Sequence, residues 1–353
     1  MISDFRDEYF RYDVRLAGTH YLGDTVEKIT TEESIDEIAL RATIRVAITQ
    51  DYPFIGPGQT IEIIDTLQND LVRYDGIIHE TNSENAGQKH LDIKAYCRAK
   101  YLESEDEVWL GADMTATSRF RLYANKWGIP LGSIADAGQK LDKAVYRPRK
   151  LAAMIKADLE ETAKKNGRMF RVRSNNRVLD LVELGSNSVI PTLLPEINIE
   201  KIQQRRTMLD KNTRVKYVGK QRGGTRKPVY GSAAGEVSQY GTQYRIQIDD
   251  RMNTVPEANS ASAKQIVPIE EIITVYVSDE LINSRAGDKV IIGTMDVSGN
   301  IVTGTMELLI INLRREHGNQ SSPGHCVLEL GNLDYVRRKY YLGDSNYSPS
   351  TST

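Results

Sequence analysis

Cysteine is scarce in this 353-residue chain: Cys97 and Cys326 sit in separate strand-like runs and form no CxxC. Neither a disulfide framework nor a zinc knuckle is supported, and both read as buried thiols. His20, His79, His90, His317 and His325 show no HxxxH or HExxH spacing, which argues against a helical metal site. There is no GxSxG, so a hydrolase triad has no support. Gly223-Gly224-Thr225-Arg226-Lys227 lacks the GxxxxGK[ST] frame of a phosphate-binding loop, and no strand-loop-helix context surrounds it. No cofactor is expected. No stretch approaches the roughly 18 apolar residues that a membrane-spanning helix requires. The charged opening MISDFRDEYFRYDVR has no apolar core of a signal peptide, so folding in the cytoplasm is expected.

Hydrophobic residues make up 40% of the chain, charged residues 27%, and the net charge is −2, the profile of an ordinary globular protein. The length suggests two or three domains. The charge is unevenly spread. Residues 140–227 hold 22 Lys and Arg against nine Asp and Glu, an excess of 13, which leaves the rest of the chain at −15. Such a middle segment suits acidic partners or the acidic outer segments of neighbouring copies, and a solvated basic face is the simpler alternative.

Near the start, Leu40, Ala42, Ile44, Val46 and Ile48 alternate with polar residues at the period of a half-buried strand. Two prolines and two glycines within 51–58 break the ladder. Residues 59–65, 71–79 and 90–98 are further strands, and their rhythm predicts a small antiparallel barrel or sandwich. The order returns near the C-terminus. Residues 270–278 predict a strand, and 285–292 parallel 56–63. Residues 301–312 then parallel 71–79, with Gly304 in the place of Gly76, and 325–330 parallel 90–96. Two copies of one β-domain are expected.

Between them, Phe120, Tyr123, Ala124 and Trp127 mark an amphipathic helix over 115–127, ended by Gly128-Ile129-Pro130. A second helix is predicted over 148–166, with Pro148 in its first turn, Leu151, Met154, Ile155, Leu159 and Ala163 on its buried face, and Gly167 as cap. Residues 168–173 and 177–184 predict a hairpin about Ser174-Asn175-Asn176. The middle is therefore an α/β module. Residues 219–235, rich in glycine and basic side chains, read as a mobile loop, and the polar tail 343–353 as flexible.

The basic loop has only Tyr230 as a nearby stacking aromatic, so subunit contact suits Arg222, Arg226, Lys227 and Tyr230 better than nucleic acid does. Arg337 and Arg338, ahead of Tyr340 and Tyr341, are candidate subunit contacts of a docking segment or of a last strand edge. Adjacent acids such as Asp249-Asp250 and Glu270-Glu271 point to opposite strand faces and do not converge as a glycosidase pair must. Trp109 and Trp127 are expected in core packing rather than in carbohydrate stacking.

As a whole the order resembles the XkdQ/YqbQ family of tail hub proteins from contractile phage tails and PBSX-type phage-like particles. The resemblance rests on 39–48, 58–64, Tyr74-Asp75-Gly76-Ile77-Ile78, 90–101 and Trp127-Gly128-Ile129-Pro130. It continues through the helix 151–164, the run 168–184, Thr213-Arg214-Val215-Lys216-Tyr217-Val218-Gly219 and Ala286-Gly287-Asp288-Lys289-Val290. The resemblance implies an α+β, β-rich chain with two tube-protein-like antiparallel β-barrel or sandwich domains and an α/β insertion between them. The implied boundaries are 1–108, 109–200 and 201–342, with a basic loop insertion near 219–264 that is longer than the family leads one to expect.

It further implies a non-enzymatic baseplate hub: a homotrimer whose six β-domains match a six-fold tail tube above and a three-fold central spike below. The tail tube protein, the central spike protein, baseplate wedge proteins and the tape measure protein are the implied partners, with no membrane insertion and no specific nucleic acid. The implied location is the tail baseplate of a virion or phage-like particle. The alternatives weighed are a tail-tip cell-wall hydrolase or peptidoglycan-binding protein, and a nucleic-acid-binding module using 140–227.

Overall fold

The computed structural model describes residues 11–48, 53–86, 88–111, 113–195, 197–208, 211–218, 229–248, 255–264, 266, 270–278, 280–281, 283–295, 301–318 and 324–342. The chain forms two compact units, Met1–Ile202 with Thr274–Thr353, and Gln203–Ile273.

The larger unit is built on one long sheet. Its first copy of the β module contains β1 (Val26–Ser34), β2 (Arg41–Ala47), β3 (Thr60–Asp65), β4 (Leu71–Ala86) and β5 (Gln88–Cys97), hydrogen-bonded in the order β1-β2-β5-β4-β3. Strict alternation buries Ala42, Ile44 and Val46 of β2 against Leu91, Ile93 and Ala95 of β5 while their neighbours stay half-exposed.

An α/β module follows. Helix α1 (Ala116–Lys126) is capped by Thr115, whose side chain accepts from Ser118 N, and α2 (Leu151–Asn166) ends at Gly167 with φ +79°. The hairpin Phe170–Asn175 with Val178–Glu183 forms as the sequence predicts, with Leu131–Ile134 added in parallel. Pro148 departs from its expected place: it lies in the strand Ala144–Lys150, at a register shift between Tyr146 and Arg149, where its missing N–H breaks no ladder bond. Trp109 also departs from the expected core. In the strand Glu105–Leu110, Val108 and Leu110 point inward, so alternation turns Trp109 outward, 73% exposed, beneath the Lys143 ammonium. Trp127 stays partly exposed because its ring N–H donates to Asp106 at 2.9 Å.

The second copy contains β6 (Ile199–Thr207), β7 (Glu270–Val277), β8 (Lys289–Met295), β9 (Ile301–His317) and β10 (His325–Gly331), in the order β6-β7-β10-β9, with β8 on β9. Strand for strand this repeats the first copy. The two copies are joined into one sheet by β9 pairing antiparallel with β1. Among the described residues the sheet is open, without a closed barrel. The smaller unit begins within β6 and ends within β7, so the long β6–β7 connection belongs to it, where the first copy has the short β1–β2 connection. It has a three-stranded sheet of Arg214–Val218 between Val229–Ala234 and Tyr244–Ile248, with Val215 and Tyr217 packed on Ala258 of the helix Val255–Lys264. The expected loop 219–235 is thus a strand over its last third, and 219–228 lies outside the described residues, as does the tail from 343.

Candidate functional site

The duplication extends to single hydrogen bonds. In the first copy Gly58 N donates to Ile78 O at 2.8 Å and Ile78 N donates to Gln59 O at 2.9 Å. In the second, Gly287 N donates to Ile310 O at 2.7 Å and Ile310 N to Asp288 O at 2.9 Å. Gly58 and Gly287 both take the left-handed backbone, φ +92° and +87°, which explains glycine at that point of each turn. Thr60 faces Ile77 as Lys289 faces Leu309, and Ile61 faces Gly76 as Val290 faces Leu308. The counterpart of Gly76 is therefore Leu308, and not Gly304 as the glycine spacing suggests. Each copy carries a bulge just after this point, between Ile78 and Glu80 and between Ile310 and Asn312, and beyond it Glu84 faces His90 as Glu316 faces His325.

A buried ionic cluster fastens the two copies and the α/β module together. Glu33 at the end of β1 is bound by Arg285, from the turn before β8, at 2.8 Å, and by Arg171, from the strand Phe170–Asn175, at 3.2 Å. Arg285 also donates to Ser174 O at 2.7 Å, Arg171 to Ser34 O at 3.1 Å, and Arg173 pairs with Asp288 at 3.0 Å. Burial opposes the Glu33 charge, yet Arg285 and Arg171 outweigh it and hold the carboxyl down at about 2. Removing one partner from such a cluster leaves an uncompensated buried charge, a loss of about 3–5 kcal/mol. A second anchor lies inside the α/β module, where Asp158 of α2 accepts from Arg119 at 2.7 Å, Tyr123 at 2.9 Å and Tyr146 at 3.0 Å.

The polar interior suits fastening better than catalysis. A pocket of about 280 Å³ is lined by Cys97, Ser174, Arg285, Arg315 and His317, among others. Burial pushes the Cys97 thiol up, away from the thiolate a nucleophile needs. Burial, with Arg315, Arg11 and Arg73, pushes His317 down to about 3, which keeps the ring neutral beside Thr31 Oγ1 at 3.1 Å. Glu62 and Asp75 face each other on β3 and β4, but Arg177 bridges them at 3.2 and 3.1 Å, with Arg15 and Arg98 on their outer sides. Both carboxylates of that pair are thus engaged by arginines.

Of the residues singled out from sequence, Arg222, Arg226 and Lys227 lie outside the described residues, as do Asp249 and Asp250. Tyr230 lies in the strand Val229–Ala234. Arg337 follows the helix Leu333–Val336 and turns inward, donating to Gly167 O at 3.3 Å and meeting Asp334 at 3.4 Å; Arg338 beside it is half-buried. The segment Arg337–Tyr341 is helical, not a strand edge, because the Asn332 side chain caps the turn that starts it. Glu33, Arg171 and Arg285 were not legible as a cluster. Each sits among many charged neighbours in sequence, and only the β9–β1 join brings them together.

A family model described as YQBQ-like matches residues 24–302. The uncharacterized protein YqbQ of Bacillus subtilis is 25% identical over 219 residues, covering 62% of this chain and 65% of that relative. The fold is similar to a 43 kDa tail protein of prophage MuSo2 from Shewanella oneidensis, with a TM-score of 0.66 and 12% identity over 92% of this chain and 99% of that one. It is also similar to an Escherichia coli type VI secretion component described as resembling the T4 tail proteins gp27 and gp5, with a TM-score of 0.56 and 10% identity over 94% of this chain and 80% of that one. The chain belongs to the YQBQ-like family and has the fold of phage tail proteins.

Proposed function

We propose that this YQBQ-like chain is a non-enzymatic structural hub of a contractile phage tail or phage tail-like bacteriocin. In this reading three copies form a ring that joins a six-fold tail tube to a three-fold central spike. The observation that carries it is the duplication: one chain holds two β modules with the same strand order, the same left-handed glycine turn and the same bulges. Two equivalent modules per chain turn three chains into six equivalent positions, so one ring meets both symmetries with closed contacts. The tail fold and the family support the setting, the baseplate of a virion or phage-like particle.

The tube protein, the spike protein, baseplate wedge proteins and the tape measure protein are the proposed neighbours. Arg222, Arg226, Lys227 and Tyr230, with Arg337 and Arg338, are proposed subunit contacts. The buried ionic cluster at Glu33 gives the ring element its stiffness, since it fixes both modules to the α/β insertion. Native mass spectrometry of the full chain, alone and with its spike protein, tests the reading. Three copies in the assembly are expected. Six copies, or a monomer indifferent to tail components, contradict it.

A further inference from the structure

Strand β9 changes character where it meets β1. Its inward positions run Ile311, Leu313, Arg315 and His317, so an apolar face ends in a guanidinium and an imidazole, 7 and 6% exposed. Thr31 and Ile29 of β1 lie opposite these two. Both side chains line the pocket of about 280 Å³, whose lining also includes the exposed residues Asn175 and Asn283.

The charges around this pocket do not balance. Arg73 is matched by Asp65 at 3.0 Å, and Asp75, the carboxylate on the wall, by Arg177 at 3.1 Å and Arg98 at 3.2 Å. Glu33, by contrast, serves both Arg285 and Arg171. Arg315 has no carboxylate among the described residues. Its Nε donates to Glu280 O at 2.7 Å and its Nη2 to Ser284 O at 2.9 Å and Leu281 O at 3.0 Å, which leaves Nη1 without a partner among the described residues. The carboxylate of Glu280 accepts from Tyr12 and lies 3.8 Å from Arg11. Carbonyl oxygens satisfy N–H donors but do not cancel a full charge, and a buried cation in that position is costly. Arg171, Arg173, Arg285 and Arg315 thus share the two carboxylates Glu33 and Asp288, an excess of two positive charges.

His317 supplies a donor beside this excess. Its Nε2 lies 3.1 Å from Thr31 Oγ1, whereas its Nδ1 is buried without a hydrogen-bond partner among the described residues. When the Thr31 hydroxyl donates to Nε2, the neutral ring carries its proton on Nδ1 and can donate it in a hydrogen bond. Burial and the positive charge of Arg315, Arg11 and Arg73 keep the ring neutral, so it offers that one proton without adding to the excess.

We propose that this pocket binds a small oxyanion of the phosphate class, held by Arg315 Nη1 and His317 Nδ1. A dianion answers an excess of two charges, and its oxygens accept from the donors that these two side chains present. Bound there, it would neutralise the point where β1, β9 and the hairpin of the α/β module meet. The site is independent of the hub reading, since it lies within one chain and one unit.

The test is calorimetric titration of the full chain with inorganic phosphate near neutral pH and at low ionic strength. Carbon-labelled histidine NMR runs beside it, with His317→Gln identifying the His317 signal. Saturable binding with a Kd below about 1 mM is expected, and the His317 signal should move with the same midpoint. Asn283→Asp places a carboxylate on the exposed part of the lining and should weaken binding about tenfold while leaving the phosphate-free chain as stable as before. Arg315→Gln should abolish binding; should that variant fail to fold, Asn283→Asp decides alone. Sulfate should compete with phosphate, and chloride at equal ionic strength should not. Absence of saturable binding by the folded chain overturns the proposal. Binding that leaves the His317 signal unmoved, that ignores Asn283→Asp or that chloride displaces equally well also overturns it, because the ion is then adventitious only.

Discussion

At the scale of single residues, the interior of the larger unit is held by charges that its own burial works against. Glu33 keeps its charge because Arg285 and Arg171 grip it, and His317 loses its charge because burial and three arginines forbid it. Both give the molecule an acid limb of the same sign. The unfolded His317 takes up a proton near 6.5 and the folded one only near 3, so the unfolded state binds more protons in between and stability falls as pH drops through that range. Glu33 adds a second loss as pH falls from 4.5 towards 2. Urea unfolding of the full chain should show stability declining from pH 6.5 to 4.5, with a slope of up to about 1.4 kcal/mol per pH unit from His317. His317→Gln should flatten that slope and leave below pH 4.5 only the part of the decline that Glu33 contributes. An unchanged slope in the variant would contradict the assignment.

At the scale of elements, the two glycine turns form a matched pair in unmatched surroundings. Gly58 has open space where a Cβ would lie, whereas a Cβ on Gly287 would come within 2.7 Å of Leu184 Cδ2 and 2.9 Å of Arg171 Cδ. Gly58→Ala should therefore lose about 1–2 kcal/mol, the penalty of the left-handed backbone alone. Gly287→Ala should lose at least about 1 kcal/mol more by thermal or urea unfolding, because the α/β module must also shift. Equal losses would mean that the module does not press on the turn. These turns were legible in sequence because Arg285-Ala286-Gly287-Asp288 copies the chemistry of Gly56-Pro57-Gly58-Gln59, and the following strands copy its apolar period.

Other elements were not legible. Pro148 opens a helix in most contexts, but here its strand has a bulge that tolerates it. Val229–Ala234 has no apolar alternation strong enough to show around Gly231, and its ladder is set by Arg214–Val218. The buried charges were hidden for a different reason. Their partners lie 252 residues apart for Glu33 and Arg285, and no local pattern encodes a contact of that range.

At the scale of the whole molecule, one chain holds two joined copies of one β module, the second interrupted by the smaller unit, which begins within β6 and ends within β7. The insertion explains why the second copy was harder to delimit from sequence than the first: its opening strand and its next strand are separated by the stretch between Thr207 and Glu270. The join between the copies sets acidic residues of β1 against basic ones of β9, with Arg314 meeting Glu32 at 3.5 Å. In the proposed hub, closure of the ring needs half as many chains as modules. An electron cryomicroscopy map of the assembled tail tip bears on this most directly. The account predicts one ring of three chains in which six β modules sit at near-equivalent positions. A ring built from six chains, or one in which the two modules of each chain occupy unrelated positions, would contradict it.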